Sequence, residues 1–240
     1  MKYLHLRESG CVSERILVLL SGGLDSTTVL TSAINDVGTN NVGAITLTYG
    51  QKHLIEVQAA KDVVKYFGIK EHVIKDLTEI FEGTDSTLIS AEHAIPETTY
   101  EELEKAEGPS LTYVPLRNPV FITVAASMAM IRRYDQLHIG VHAEDARHDA
   151  YPDCRSDVIG ALGAALHIGS YYRVKLLAPL NHMTKSQVVA QGRRLGAPYH
   201  LTHSCYKGER PACGKCPTCI GRLEAFRLNG LIDPITYSNN

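Results

Sequence analysis

The chain has 240 residues, 44% of them apolar, with 24 Lys and Arg against 26 Asp and Glu and a formal net charge of −2. That is length enough for one well-buried core, and a near-neutral balance gives no general reason to expect a nucleic-acid or membrane partner. No stretch approaches the roughly 20 apolar residues of a membrane span, and residues 1–14 lack the apolar run of a signal peptide, so a cytoplasmic protein is expected.

In chain order, Ile16–Leu20 is a short continuous apolar run, the pattern of a strand buried on both faces. Ser21-Gly22-Gly23 breaks it, and Ser26 to Ile34 reads as a helix. Val42–Thr48 is a second strand. His53–Phe67 carries Val57, Ala60, Val64 and Phe67 at helical spacing and stops at Gly68. His72–Lys75 is a third strand. Residues 77–112 have little period and hold Pro96, Pro109 and an acidic stretch at 101–107. A segment of that kind is usually a lid or mobile. Asn118 is placed to cap a helix with Pro119 at its first position, running to about Arg133. Gln136–Val141 is a fourth strand, followed by a polar loop, His142–Arg155. Ser156–Gly169 is a helix and Val174–Ala178 a fifth strand. Thr184 can cap a helix to Leu195, and a last helix spans about Ile220 to Leu228. Strands alternating with helices imply parallel pairing and right-handed crossovers. The expected fold is a doubly wound, mainly parallel five-stranded α/β sheet over 1–195, with a small zinc-binding helical appendage at 196–240. Ligands of such sheets lie outside the carboxyl ends of the strands, which gives weight to the loops Ser21–Ser26, Thr48–His53, His142–Arg155 and Leu180–Thr184.

Ser21-Gly22-Gly23-Leu24-Asp25-Ser26-Thr27 lies between a buried strand and a helix start. Glycines let the backbone turn sharply and approach a ligand. The N–H groups of the turn and of the helix N-terminus then favour an anion. Asp25 is the odd member, because a carboxylate repels phosphates; it makes sense if it holds Mg²⁺ or caps the helix. The plain alternative is a tight strand-to-helix turn with ordinary capping. There is no lysine in the turn, so this is not a Walker A loop. The string resembles the PP-loop of the ATP pyrophosphatase superfamily, in which the loop holds the β,γ-pyrophosphate while an acceptor oxygen attacks the α-phosphorus.

Six cysteines are present, and four fall between 205 and 219. Cys213, Cys216 and Cys219 are separated by two-residue gaps, with Cys205 upstream. Four thiolates at this spacing fit tetrahedral Zn²⁺ in a closed, structural site. Buried unliganded cysteines or redox pairs are the alternative, with an iron–sulfur cluster behind them. Cys11 and Cys154 stand alone.

Loop and thiolates together, in this order, resemble the 7-cyano-7-deazaguanine synthase family. The likeness spans nearly the whole chain: Ser21–Thr28, Tyr49-Gly50-Gln51 with His53, Arg117-Asn118, Tyr151 to Arg155, Pro179-Leu180 with Lys185, Pro198-Tyr199, Ser204 to Tyr206, the cysteines, Arg222 and Asp233-Pro234. Lys52 stands where the family usually has arginine, and His203 where it usually has tryptophan. The resemblance implies ATP-dependent conversion of 7-carboxy-7-deazaguanine and ammonia to the 7-cyano base for modified tRNA nucleosides. It further implies ATP, Mg²⁺ and Zn²⁺ as cofactors, with small-molecule partners only; a homodimer is left open. The implied nucleotide set is Leu20, Ser21, Gly22, Gly23, Leu24, Asp25, Ser26, Thr27 and Thr28, with Gln51 and His53. Asp25, Ser26 and Lys185 are expected to be catalytic. Arg117, Asn118, Asp153 and Arg155 are expected to bind substrate. For the guanine-like edge, Asp153, Glu144 and Asp145 are all candidates, and Arg155, Arg117 or Lys185 would steady a carboxylate or phosphates.

The rival enzyme is a tRNA thiolase on the same loop, which would need sulfur-carrying cysteines and a basic RNA-binding face. Other amide-forming pyrophosphatases share the loop without the thiolates. A zinc-ribbon binding module on an inactive scaffold is the reading from another class, and the intact Ser21–Ser26 loop speaks against it.

Overall fold

A computed structural model describes residues 14–90, 92–99, 101–102, 110–145 and 150–238. Cys11 and most of the acidic stretch at 101–107 lie outside them. The strands are β1 (Ile16–Leu19), β2 (Val42–Thr48), β3 (His72–Asp76), β4 (Gln136–His138) and β5 (Lys175–Leu177). They form one sheet in the order β3-β2-β1-β4-β5, and every pair is parallel. The helices are α1 (Leu24–Val37), α2 (Ile55–Phe67), α3 (Arg117–Ile131), α4 (Ser156–Gly169), α5 (Lys185–Leu195) and α6 (Pro217–Leu228).

The period-2 alternation of β1 divides the core in two. Leu17 joins Ile45, Leu137 and the α3 residues Ile122, Ala125 and Ala129 on one face. Ile16 and Val18 join Leu30 of α1, Val63 of α2, Val188 of α5 and Phe226 of α6 on the other. A strand apolar at every position must be covered on both sides, and it is. Helices on both faces make the sheet doubly wound, as expected. The order turns back beside β1, between β1 and β4, so the loops leaving these two strands diverge at the crevice where such folds take ligands. No helix among the described residues is long and apolar enough to cross a membrane.

Several ends differ from expectation, each for a local reason. α1 starts at Leu24 rather than Ser26, with Gly23 as its N-cap. α3 starts at Arg117, with Leu116 as N-cap in the left-handed region at φ 51°. Asn118 is therefore inside the helix and is not its cap. An acceptor distant in sequence takes over: the Asp153 carboxylate accepts the Asn118 N–H at 3.0 Å. The last helix begins at Pro217, where proline at the first position has no N–H to leave unpaired. Thr184 does cap α5, in a reciprocal pair with Gln187. Of the irregular 77–112 segment, the described part is anchored by Phe81, Leu88 and Ile95, all buried in the core with Phe121.

His138 closes β4 and is only 5% exposed. Its Nε2 meets Gln136 Oε1 at 2.7 Å, and its Nδ1 is buried without a partner. Burial, against a weak opposing pull from Asp36, pushes its pKa down to about 4 from an ordinary 6.5. The folded state thus binds fewer protons than the unfolded one. This contribution to stability is complete above about pH 6.5 and is lost as the pH falls toward 4. Between pH 7 and pH 5 it amounts to about 2 kcal/mol. Urea unfolding at both pH values should show the wild type losing that much more than His138→Leu. Equal losses would rule the effect out.

Candidate active site

Between β1 and α1 the chain makes a turn that is fixed by its own hydroxyls. Ser21 and Ser26 hydroxyls meet at 3.0 Å, the Gly23 N–H donates to Ser21 Oγ at 3.2 Å, and Ser26 Oγ donates to the Gly23 carbonyl at 3.3 Å. Leu20 and Leu24 are fully buried on either side. Thr28 anchors the first turn of α1, meeting the Tyr199 hydroxyl at 2.7 Å. Thr27 Oγ1 is buried without a partner. Gly22 sits at φ 92°, and a Cβ there would stand 2.2 Å from the Glu56 carbonyl of α2. Only glycine lets α2 press on the turn at that distance. The first N–H groups of α1 have no intrahelical acceptors, so the turn offers donors and a positive dipole end to an anion.

Two charges face one another at this turn. Asp25, in the first turn of α1, receives the Lys185 ammonium on Oδ2, while its Oδ1 is buried with no partner. Its carboxylate makes no capping bond; it is turned to Lys185 instead. Burial pushes the Asp25 carboxyl up, but the charge and hydrogen bond of Lys185, with help from His142, outweigh it and hold the pKa below the ordinary carboxylate value. Lys185 opens α5, where a cation opposes the helix dipole. Glu144 relieves this by accepting the Lys185 backbone N–H at 2.9 Å. His142 Nε2 lies 3.4 Å from Lys185 Nζ and 3.2 Å from Asp145 Oδ1. Glu144 and Asp145, candidates for reading a base edge, are thus bound to this cluster. His142 was not singled out from the sequence; the only signal for it was its place after the fourth strand.

A second cluster forms from residues far apart in sequence. Arg117, at the start of α3, donates to the Tyr49 hydroxyl at 3.0 Å, and its guanidinium carbon lies 5.2 Å from the Tyr49 ring centroid. Burial alone would lower its pKa, but Tyr49, Tyr206, Asp153 and Cys154 around it raise it further. Asp153 is buried, and burial raises its carboxyl above the usual range despite the Asn118 N–H and Arg117. The Asn118 side chain donates to the Cys154 sulfur at 3.1 Å. Arg155 is exposed and paired with Asp157 at 2.8 Å, apart from these contacts. Gln51 accepts the Tyr49 N–H at 2.8 Å. His53, fully buried, meets Glu56 at 3.3 Å and packs beside Tyr206, with ring centroids 5.7 Å apart. Gln51 and His53 therefore belong with the Tyr49 and Tyr206 side of the site; no bond among the described residues ties them to the Ser21–Thr27 turn.

Between the two clusters lie the cysteines. Cys205, Cys213, Cys216 and Cys219 are all buried, and their sulfurs lie within 4.8 Å of one another. Cys213 and Cys219 sulfurs are 3.9 Å apart. A tetrahedral ion bound at about 2.3 Å to each sulfur would set them roughly 3.8 Å apart, so the set fits a metal. Backbone N–H groups of Cys213, Lys215 and Cys216 point at these sulfurs at 3.3–3.4 Å, as suits thiolates. On one flank, the His203 N–H donates to the Gly22 carbonyl at 3.0 Å. On the other, Tyr206 enters the Arg117 cluster. Arg222 of α6, 1% exposed, ties the first flank down through Thr202, Ser204, Tyr199 and a two-point ion pair with Asp233.

Replacing Gly22 by alanine should lower stability by roughly 2 kcal/mol or more, from a positive φ combined with a backbone clash. Gly38→Ala, also at positive φ but with nothing within 4 Å of the new methyl, should cost less. Thermal unfolding of both variants measures the difference, and equal costs would mean that α2 does not press on the turn.

A family model described as "Queuosine biosynthesis protein QueC" matches residues 15–230. A 7-cyano-7-deazaguanine synthase of Persephonella marina is 39% identical over 228 residues, which cover 92% of this chain and 96% of that one. The synthase of Sulfurihydrogenibium sp. is 37% identical over 220 residues, 89% and 95% of the two chains. That of Aquifex aeolicus is 38% identical over 218 residues, 88% and 96%. With a family model covering most of its length and relatives aligned nearly end to end, the chain belongs to the QueC family of queuosine biosynthesis proteins.

Proposed function

We propose that this chain is a 7-cyano-7-deazaguanine synthase, converting 7-carboxy-7-deazaguanine and ammonia to the 7-cyano base at the expense of ATP. The observation that carries the reading is the meeting of the anion-cradling Ser21–Thr27 turn with Lys185 and Asp25 at the point where the strand order reverses, in a chain of this family. Making a nitrile from a carboxylate removes two oxygens, and neither hydroxide nor oxide leaves readily at neutral pH. Adenylation turns each oxygen into part of AMP. Ammonia displaces the first AMP to give an amide, and the amide oxygen is adenylated in turn. One turn serves both steps, because in each an oxygen of the same substituent attacks the α-phosphorus.

In this reading the turn's N–H groups and Lys185 hold the pyrophosphate portion, and Ser26 and Ser21 keep the turn in shape. Mg²⁺, when bound, neutralises phosphate charge and orients the leaving pyrophosphate. Asp25 is the residue that would hold it: its buried Oδ1 has no other partner. Asp153 has Oδ2 on the Asn118 N–H, and Oδ1, which has only a long 4.0 Å contact from the Cys154 thiol, accepts a single N–H from the base edge. The four thiolates hold Zn²⁺ as a closed structural site, since no coordination position is left for substrate. Among the described residues the one remaining cysteine, Cys154, is buried with its thiol pushed well up by that burial. It offers no reactive thiolate of the kind a sulfur carrier needs.

Incubation of the protein with the acid, ammonia and α-labelled ATP should yield the nitrile and AMP, with two ATP consumed per nitrile. The synthetic amide with ATP should yield the nitrile as well. ADP as the only nucleotide product would overturn the reading of the turn. Asp25→Asn should lower turnover on the order of 100-fold with the fold intact. Metal analysis of protein purified without added zinc should find about one zinc per chain. Cys213→Ala should release it and lower the unfolding midpoint; a metal-free, fully folded wild type would exclude the structural role.

A further inference from the structure

Arg117 is a half-buried cation that, among the described residues, lies within ion-pair distance of no carboxylate. Of its five N–H donors, one goes to the neutral Tyr49 hydroxyl, and among the described residues no carboxylate pairs with it. Other basic side chains here have acid partners, Lys185 with Asp25, Arg155 with Asp157, Lys207 with Glu97 and Arg222 with Asp233, while Lys52 donates to the His93 carbonyl. Asp153, an acid whose charge acts on Arg117, has one oxygen turned to the Asn118 N–H. Arg117 also sits in the first turn of α3, where a cation opposes the dipole and no acid follows in that turn. A buried charge left unpaired is costly, and two independent contributions here make it so. The Tyr49 ring lies beside the guanidinium and its hydroxyl takes one Nη1–H, while among the described residues no hydrogen bond takes the Nε–H and Nη2–H edge. A planar fork with two parallel donors is the geometry that receives a carboxylate.

Resting on the function proposed above, we propose that Arg117 is the receptor for the substrate's 7-carboxylate, and that it serves the acid and not the amide that follows. The acid arrives as an anion and supplies the missing counter-charge. One carboxylate oxygen attacks the α-phosphorus, the bond to pyrophosphate breaks, and acyl-AMP forms. Ammonia then adds at the carbonyl carbon; AMP leaves and one proton is released, giving the amide. The amide is neutral, with one acceptor oxygen, so it forms only one bond to the fork and no ion pair. Its oxygen takes the second AMP as pyrophosphate leaves and an N–H proton is lost. AMP then departs with the last N–H proton as the C≡N bond forms. Arg117 thereby separates the two half-reactions: it recruits the charged substrate, and it has no charge left to hold once the amide exists.

The test uses the full-length, zinc-loaded protein and two substrates, 7-carboxy-7-deazaguanine with ammonia and the corresponding amide, each with ATP. Arg117→Gln should raise KM for the acid by about 30-fold or more and change KM for the amide by less than about threefold. Arg117→Lys, which keeps the charge without the fork, should fall between the wild type and Arg117→Gln on the acid. Equal losses on acid and amide would mark Arg117 as structural and overturn the proposal, as would an unchanged acid KM. Calorimetry on the wild type needs no variant: without nucleotide the acid should bind about 10-fold or more tighter than the amide, and equal affinities would overturn the proposal. If the wild type converts neither acid nor amide, the functional reading itself fails, a result distinct from either outcome with Arg117.

Discussion

The convergence of four sulfurs on one point is the constraint from which both halves of the site take their position. Cys205 is flanked by residues that face opposite ways. His203 and Ser204 lie against the Gly22-Gly23 turn, while Tyr206 reaches His53 and the Arg117 cluster. Neither flank belongs to a helix or strand, so their path is not set by a backbone ladder. It is set by the thiolates on one side and by Arg222 on the other. The Arg222–Asp233 pair is almost fully buried, with 1% of each side chain exposed. Such a pair adds little net stability, but removing either partner is costly. That combination suits a device whose role is to fix geometry.

The sheet contributes the second constraint. The turn after β1, the loop after β4 and the start of α5 after β5 meet because β1 and β4 are neighbours and β5 follows β4. Asp25 is brought to Lys185 across 160 residues, and His142 to Lys185 across 43, by the order of the strands. The Arg117 cluster is assembled at the same edge of the sheet: Tyr49 follows β2 directly, and Asp153 lies in the connection after β4.

Much of this was legible in the sequence because it is local. A strand apolar at every position, a Gly-Gly turn, a threonine cap at Thr184 and cysteines at two-residue gaps each carry their physics within a few residues, and all took the expected form. What was not legible is non-local. Asn118 reads as a helix cap by any local rule, yet Asp153, 35 residues on, supplies the acceptor and moves the helix start. His142 has no sequence signature; it matters because of what β5 places beside it. Gly22 reads as a residue that lets the backbone turn sharply and approach a ligand, whereas the structure also sets it against the Glu56 carbonyl of α2, so its missing side chain serves packing as well. The choice among Arg117, Arg155 and Lys185 for an anion could not be made without knowing which of them already had partners.

The Asp25–Lys185 pair has a consequence for selectivity at the gate of the turn. Opposite charges side by side leave the mouth of the turn nearly neutral to approaching solutes. Entry is therefore a swap of partners rather than a simple capture. A bare anion that takes Lys185 abandons a carboxylate in its own negative field, and a bare cation that takes Asp25 abandons an ammonium. Only a visitor carrying both signs, an anion already escorted by its cation, satisfies both residues at once.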